Sequence, residues 1–410
     1  MRKKYIRTGS VETVTHTGNN TVRSGEIKLM ISIFAAFYAM HSVEMVYFVY
    51  GNVLESYGFS PQATGVALGT FFIAIMTARP IGGWMIENLG IRRSMIFGGA
   101  LALVGCSVLI FTRNLFVIFA GRAMGGLAFG IFTMGIFSYQ ALVSTPENRG
   151  RVIALTSTGG VLPTATITPF GEWLVLGGHI KPYLAIGPLL CAICVLLGIN
   201  VPKDKTIHGP EVRAWGTYRD LFGCGPFVML VTTCTMMAIV DASVTSISLF
   251  SAEHGIPASY FLVSFSATAV LSRSLGAAII NSLPRPFCLA PCGMLMAGAL
   301  AGAAAIPSRA SFIICGSLFG FGIGGGFPIL LTSLVDILPP ALRPKGTAVA
   351  MFMFDMGWAV TPILVGYMTP YLGRAVSFIA LAITAFVVLA ALTVFYWLPR
   401  LLSERSATGN

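Results

Sequence analysis

Charge is what this sequence has least of. Asp, Glu, Lys and Arg make up 10% of its 410 residues, against about 25% in an ordinary globular domain. A soluble chain of this length needs more than that to cover its surface. The shortage excludes a globular protein dissolved in water and points to one dissolved in lipid, in keeping with a hydrophobic fraction of 55% and a mean hydropathy of +0.82.

Catalytic apparatus is missing as well. There is no Walker lysine motif or ATP-binding segment, no His/Cys/Asp set with metal-ligand spacing, and no arguable nucleophile–base pair. An enzyme, a metal centre and a bound cofactor are therefore not expected. Most of the eight cysteines lie inside apolar runs (Cys106, Cys234, Cys315), where thiols behave as small hydrophobes. Cys191-Ala-Ile-Cys194 has redox-motif spacing but sits in the apolar stretch 183–201 without a strand–helix context. The glycine-rich GSLFGFGIGGGF (316–327) follows no strand and reads as close helix packing. Asn19-Asn20-Thr21 fits a glycosylation sequon, but it lies in the polar first 27 residues with Arg2, Lys3, Lys4, Arg7 and Arg23. No short apolar core with a cleavage site follows, so this segment reads as a cytoplasmic tail and not a signal peptide.

What the chain does have is apolar runs of membrane length, roughly 20 residues each. They fall near 28–51, 64–87, 94–112, 115–141, 152–175, 183–201, 225–251, 258–281, 286–306, 309–336, 344–371 and 374–397. Twelve transmembrane helices are expected, and the chain is read as an all-α membrane protein. Most joints carry turn residues or charges, among them YGFSP, ENLGIRR, TPENRG, HGIP and LPPALRPKG. The one long connection, 202–224, divides six spans from six. The expected organisation is a tail (1–27), a six-helix bundle (28–201), a linker (202–224), a second six-helix bundle (225–397) and a tail (398–410).

A net charge of +11 would raise nucleic acid for a soluble protein, but its distribution excludes that partner. With a cytoplasmic N-terminus, nineteen Lys and Arg fall inside and four outside (Arg113, Lys181, Arg309, Arg374), and three lie within spans. The positive-inside rule then puts both termini in the cytoplasm. Short loops without a large extramembrane insertion suit a bacterial inner membrane; a monomer is expected.

The halves repeat. Glu44 is followed fourteen residues later by Gly58, then by Arg79 and Gly82; Asp241 is followed fourteen later by Gly255, then by Arg273 and Gly276. Glu44 and Asp241 are 197 residues apart, Arg79 and Arg273 194. TPENRGRVIA near the end of span 4 is answered by PALRPKGTAVA near the end of span 10. Two related six-helix bundles with pseudo-symmetry are the construction of alternating-access carriers.

Between spans 2 and 3, RPIGGWMIENLGIRR supplies Gly83-x-x-x-Glu87-Asn88-x-Gly90-x-Arg92-Arg93. This pattern resembles the loop signature of the major facilitator superfamily, and Arg79-Pro80 upstream resembles many bacterial members. The family usually has Asp where Glu87 stands and a basic residue where Asn88 stands. Gly121-Arg122 looks like the membrane arginine of the proton-coupled efflux branch, without the glutamine usual downstream, and STGGVLPTATITPFGEWL loosely resembles the span-5 signature of drug/proton antiporters. The resemblance covers the whole chain through the six-plus-six layout. It implies the major facilitator fold, a small-molecule substrate and a lean toward proton antiport and efflux.

Physically, Gly83 and Gly90 permit close helix approach and a tight turn. Glu87 with Arg92 and Arg93, expected to meet the ends of span 11 as well, forms a charge cluster that holds the outward-open state and breaks in each cycle. A solvated loop obeying the positive-inside rule is the simpler reading of Arg92 and Arg93. Arg79 is grouped with this gate.

Ionisable residues within spans are costly and functional by default: His41, Glu44, Arg79, Arg122, Asp241, Arg273 and Asp355. Glu172 and Asp336 lie near span ends and are set aside. His41 and Glu44 share a helix face. Glu44 and Arg122 lie at matching depth, and spans 1 and 4 line the cavity in the resembled family, so an ion pair between them is expected, either for coupling or as a static support. Asp241 is the symmetry mate of Glu44. Asp355, in MFMFDMGW, is a contact for a cationic group. Arg273 could serve an anion, as a span-8 arginine does in some carriers of that family. His41 is either a proton relay or a buried, hydrogen-bonded histidine.

Two transport functions follow: proton-coupled export of a small polar or zwitterionic metabolite, drug or chelator, or import or exchange of organic anions. A non-transporting membrane sensor is the reading from another class, and the lack of an extra soluble domain weighs against it. The expected partners are a small-molecule substrate, protons and the lipid bilayer.

Overall fold

The structure is a computed structural model that describes residues 17–143, 149–201, 218–280, 285–339 and 342–408. The tail through residue 16, the joint 144–148, residues 202–217 of the long connection and the side chains of Arg149, Arg151 and Arg285 lie outside the described residues.

Among those residues every regular element is a helix. The first set comprises α1 (Thr17–Val46), a 3-10 turn (Tyr47–Val49), α2 (Tyr50–Ser56), α3 (Pro61–Leu89), α4 (Ile91–Phe111), α5 (Leu115–Val143), α6 (Arg149–Leu176) and α7 (Ile180–Asn200). After the long connection come α8 (Tyr218–Gly223), α9 (Gly225–Asp241), α10 (Val244–Glu253), α11 (Ser259–Ile280), α12 (Arg285–Ala305), α13 (Arg309–Ile337), α14 (Arg343–Leu392), a π-turn (Thr393–Trp397) and α15 (Leu398–Thr408). Helix α1 starts at Thr17, well before the apolar run.

Nine helical stretches among the described residues are long and apolar enough to cross a membrane. The last, Lys345–Ser403, crosses twice because α14 folds back at Gly373 (φ 75°), and α6 and α11 complete the twelve. Large apolar side chains face outward around the bundle, among them Phe111, Phe116, Leu189 and Phe395. An exterior this apolar would be an aggregation hazard in water and is what lipid requires.

Joint chemistry decides where the helices stop. Ser60 Oγ accepts the Ala63 N–H (3.3 Å) with Pro61 at the first helical position, so YGFSP starts α3 sharply. At the other end of α3, Gly90 takes φ 85° and both ends α3 and begins α4, a conformation that carries a steric penalty for any residue with a Cβ.

Within each half, small residues bring backbones together. A Cβ on Gly126 would sit 2.0 Å from the Phe71 carbonyl oxygen, and one on Gly320 2.1 Å from that of Phe265. The stretch 316–327 is therefore a packing surface, α13 against α11.

The halves meet along α3–α14 and α6–α11. The end of the bundle where α1 starts and α15 lies is called here the terminal end, and the opposite end, with the turns at Gly58, Gly178, Gly255 and Gly373, the distal end. Spans 1 and 7 both lose regular α-helical geometry near mid-length, at Tyr47–Val49 and at Ala242–Ser243. The first begins three residues after Glu44 and the second immediately after Asp241.

Candidate functional site

A cavity of about 330 Å³ lies between the halves. Helices α1, α3, α5 and α6 of one half and α9, α11, α13 and α14 of the other wall it. Its surface is mainly aromatic and aliphatic, with Phe48, Phe72, Phe129, Phe265, Phe327 and Trp358 contributing rings. Six of the sequence-selected residues reach it: His41, Glu44, Arg79, Asp241, Arg273 and Asp355.

Each is positioned locally. His41 Nδ1 donates to the Phe37 carbonyl one turn back (2.9 Å), and its ring packs on Phe37 and Phe129. His41 is thus half-buried and hydrogen-bonded at the cavity surface. Arg79 grips Asp355 with both prongs of its guanidinium: Nη2 donates to Oδ1 at 2.9 Å and Nε donates to Oδ2. This bidentate pair ties α3 to α14 across the halves. Asp355 therefore already has a cationic partner from its own chain, and Arg79, assigned to the gate, is also part of the cavity wall.

Glu44 and Asp241 are 8% and 3% exposed and form no ion pair among the described residues. The charges of Asp355, Arg122, Asp241 and Arg79 all reach Glu44 electrostatically, and Arg273 acts on Asp241. The Trp358 indole approaches Asp241, yet neither its Nε1 nor Asp241 Oδ1 completes a hydrogen bond.

Arg122 departs from expectation. Its guanidinium lies over the rings of Phe71 (4.5 Å) and Tyr47 (5.2 Å), with Nε 3.4 Å from the Ala67 carbonyl, and it forms no pair with Glu44. Matching depth fixes position along the membrane normal but not direction around the helix. The Arg122 face of α5 turns toward α1 and α3, behind the cavity wall, where ring faces and a carbonyl dipole replace a carboxylate.

The loop residues lie at the terminal end. Glu87 and Arg93 are exposed, and no ion pair joins Glu87, Arg92 or Arg93 to any described residue. Asn88 Nδ2 donates to the Trp84 carbonyl (2.8 Å). The expected close approach at Gly83 belongs instead to its neighbour. A Cβ on Gly83 would meet nothing within 4 Å, whereas one on Gly82 would lie 3.2 Å from Ile131 Cα. Helical phase is the reason, since one residue along turns about 100° away from α5.

Two distal features escaped the sequence. Arg374, 5% exposed, bridges Glu55 of α2 and Glu253 of α10. Glu172, set aside as wet, is 5% exposed and accepts the N–H groups of Ala258 and Ser259 (2.9 Å) at the start of α11. The internal repeat held a signal for the first: Glu55 and Glu253 are 198 residues apart, nearly the offset of Glu44 and Asp241.

Two six-helix bundles around a shared cavity, joined at the cavity and the distal end, define a membrane carrier and not an enzyme. The chain belongs to the Major Facilitator Superfamily, whose family model matches residues 32–311 and again 284–409. It is 22% identical over 328 residues to the uncharacterised MFS-type transporter YfkF of Bacillus subtilis, covering 77% of this chain and 82% of the relative. It is 24% identical over 365 residues to an uncharacterised MFS-type transporter of Burkholderia pseudomallei, covering 84% and 86%. Among solved structures it resembles an inward-facing, unoccupied bacterial homologue of the human lysosomal transporter Spinster, with TM-score 0.73, 14% identity and coverage of 90% and 96%. It also resembles a POT family transporter in complex with 5-aminolevulinic acid, with TM-score 0.70, 13% identity and coverage of 91% and 96%. At these identities the structural likeness speaks to fold alone.

Proposed function

We propose that this transporter is a secondary active carrier that works by alternating access and exports a small molecule in exchange for protons. The observation that carries the coupling is the pair of buried, symmetry-related carboxylates, Glu44 and Asp241, in the cavity wall without an ion-pair partner among the described residues. An acid in that setting changes charge at small cost to the surrounding fold and so serves as a proton carrier. The arrangement described here is then the state open toward the terminal end. That end is the cytoplasmic side by the asymmetry of Lys and Arg, in a bacterial cytoplasmic membrane, with the monomer as the working unit.

A substituted-cysteine test fixes sidedness: Ser56→Cys should be labelled from outside intact cells, and Thr408→Cys only after permeabilisation. The reverse pattern would invert the assignment. For coupling, Glu44→Gln and Asp241→Asn reconstituted in vesicles should lose proton-driven accumulation while keeping substrate exchange when substrate is saturating. Full proton-driven transport by both variants would make these acids structural. Organic-anion exchange is the second reading, and it rests on Arg273 in the cavity wall. It predicts transport that is independent of an imposed proton gradient.

A further inference from the structure

The chemistry of the cavity points beyond transport in general to a class of cargo. Three acids and two arginines line it: Glu44, Asp241 and Asp355 against Arg79 and Arg273. Arg79 and Asp355 cancel in a bidentate pair. With those two removed, Glu44 and Asp241 remain against one guanidinium, so once both acids have released their protons the wall carries a formal excess of one negative charge among otherwise largely apolar side chains. Among the described residues, Asp241 Oδ1 is a buried acceptor without a hydrogen-bond partner, in a side chain that lines the cavity.

Rings stand next to this acidic pair. Trp358 lies 5.1 Å from Phe72 and 6.0 Å from Phe48, centroid to centroid, and all three belong to the cavity wall. Aromatic faces attract cations, and the attraction grows where water is excluded. A volume of about 330 Å³ lies at the small end of the 300–1,000 Å³ typical of ligand pockets.

We propose that the cavity selects organic monocations with a compact aromatic or branched apolar body, the positive charge lying between Glu44 and Asp241 and the body against Phe48, Phe72 and Trp358. The inference rests on the transporter reading and deepens it by naming the substrate class. A neutral ligand of the same shape leaves the excess charge uncompensated. An anion shares the wall that holds Arg273 with two carboxylates, and Arg79 is already held by Asp355. A dication exceeds the charge available.

The test uses three probes of matched shape on the full-length protein purified in detergent: benzyltrimethylammonium, its neutral isostere neopentylbenzene, and phenylacetate. Binding is measured by equilibrium dialysis, and transport by uptake of the same probes into proteoliposomes. Benzyltrimethylammonium should bind at least about tenfold more tightly than either of the others. Asp241→Asn and Glu44→Gln should each weaken the cation about tenfold or more while moving the neutral isostere less than about twofold. Asp241→Glu should recover part of the loss. Monodisperse elution of every variant establishes that it is folded. Tighter binding of phenylacetate, equal loss of all three probes in Asp241→Asn, or no binding of the cation overturns the proposal. Binding of the cation without uptake leaves the proposal standing and overturns the transport reading. Uptake of phenylacetate without binding of the cation does the opposite.

Discussion

The two ends of this bundle use the same kinds of side chain in opposite ways. At the distal end, Arg374 is buried between Glu55 and Glu253, and Glu172 reaches from α6 to the backbone of α11. Below them the backbones touch: a Cβ on Gly65 would fall 2.3 Å from the Pro362 carbonyl oxygen, and one on Gly366 2.5 Å from that of Pro61. At the terminal end, Glu87, Arg92 and Arg93 make no ion pair among the described residues, and two of the three are exposed. Closing a mouth brings opposite charges together and takes them out of water, while opening it returns them. The desolvation cost of a buried pair offsets much of its attraction. A latch of this kind is therefore weak enough to release, whereas an apolar seal of the same area would hold one state too firmly for a cycle.

The largest effect is expected at Arg374. Removing one member of a fully buried ion pair costs about 3–5 kcal/mol. Here Arg374 is 5% exposed, but the Glu55 and Glu253 side chains are 28% and 41% exposed, so solvent screens part of the loss. Arg374→Ala should disfavour distal closure by about 2 kcal/mol, roughly thirtyfold in population. Spin labels at Ser56 and His254, read by pulsed EPR distances, should show a new long-distance component. An unchanged distance distribution would sink the latch assignment.

Glu172→Gln comes next. It keeps the shape and one acceptor but removes a charge from the N-terminal end of α11, a contribution of about 1 kcal/mol and hence roughly fivefold in population. The same labels should shift in the same direction, less far. A shift as large as that of Arg374→Ala would mean that shape, and not charge, holds this contact.

Much of this molecule was legible in its sequence because lipid imposes strict rules. Apolar length marks the spans, YGFSP and Gly90 mark helix ends, and the 197-residue offset pairs Glu44 with Asp241. What was not legible concerned direction around a helix axis. Arg122 has the right depth and the wrong azimuth, because hydropathy reports position across the membrane and not which neighbour a side chain faces. Glu172 looked wet because it lies near a span end, yet the start of α11 covers it. The Arg79–Asp355 pair joins residues 276 apart that share no repeat relation. Only the packing of α3 on α14 brings them together.

The smallest change expected in this state comes from Glu87→Arg, and its value lies in that smallness. Glu87 has no ion-pair partner among the described residues, so replacing it removes no ion pair from the arrangement described. An exposed charge change of this kind shifts stability by less than about 0.5 kcal/mol. The distal distance between labels at Ser56 and His254 should therefore stay as it is. If Glu87 pairs only when the terminal end closes, the cost falls on the other state: an arginine there faces Arg92 and Arg93, and like charges brought together out of water oppose closure. The variant should insert normally, remain distal-closed and lose most of its transport at matched expression, with substrate binding from the terminal side retained. Near-normal transport would remove Glu87 from the gate and leave the loop as an ordinary positive-inside connection. Lost transport together with an opened distal end would show that the two mouths do not alternate, and the comparison between them would have to be abandoned.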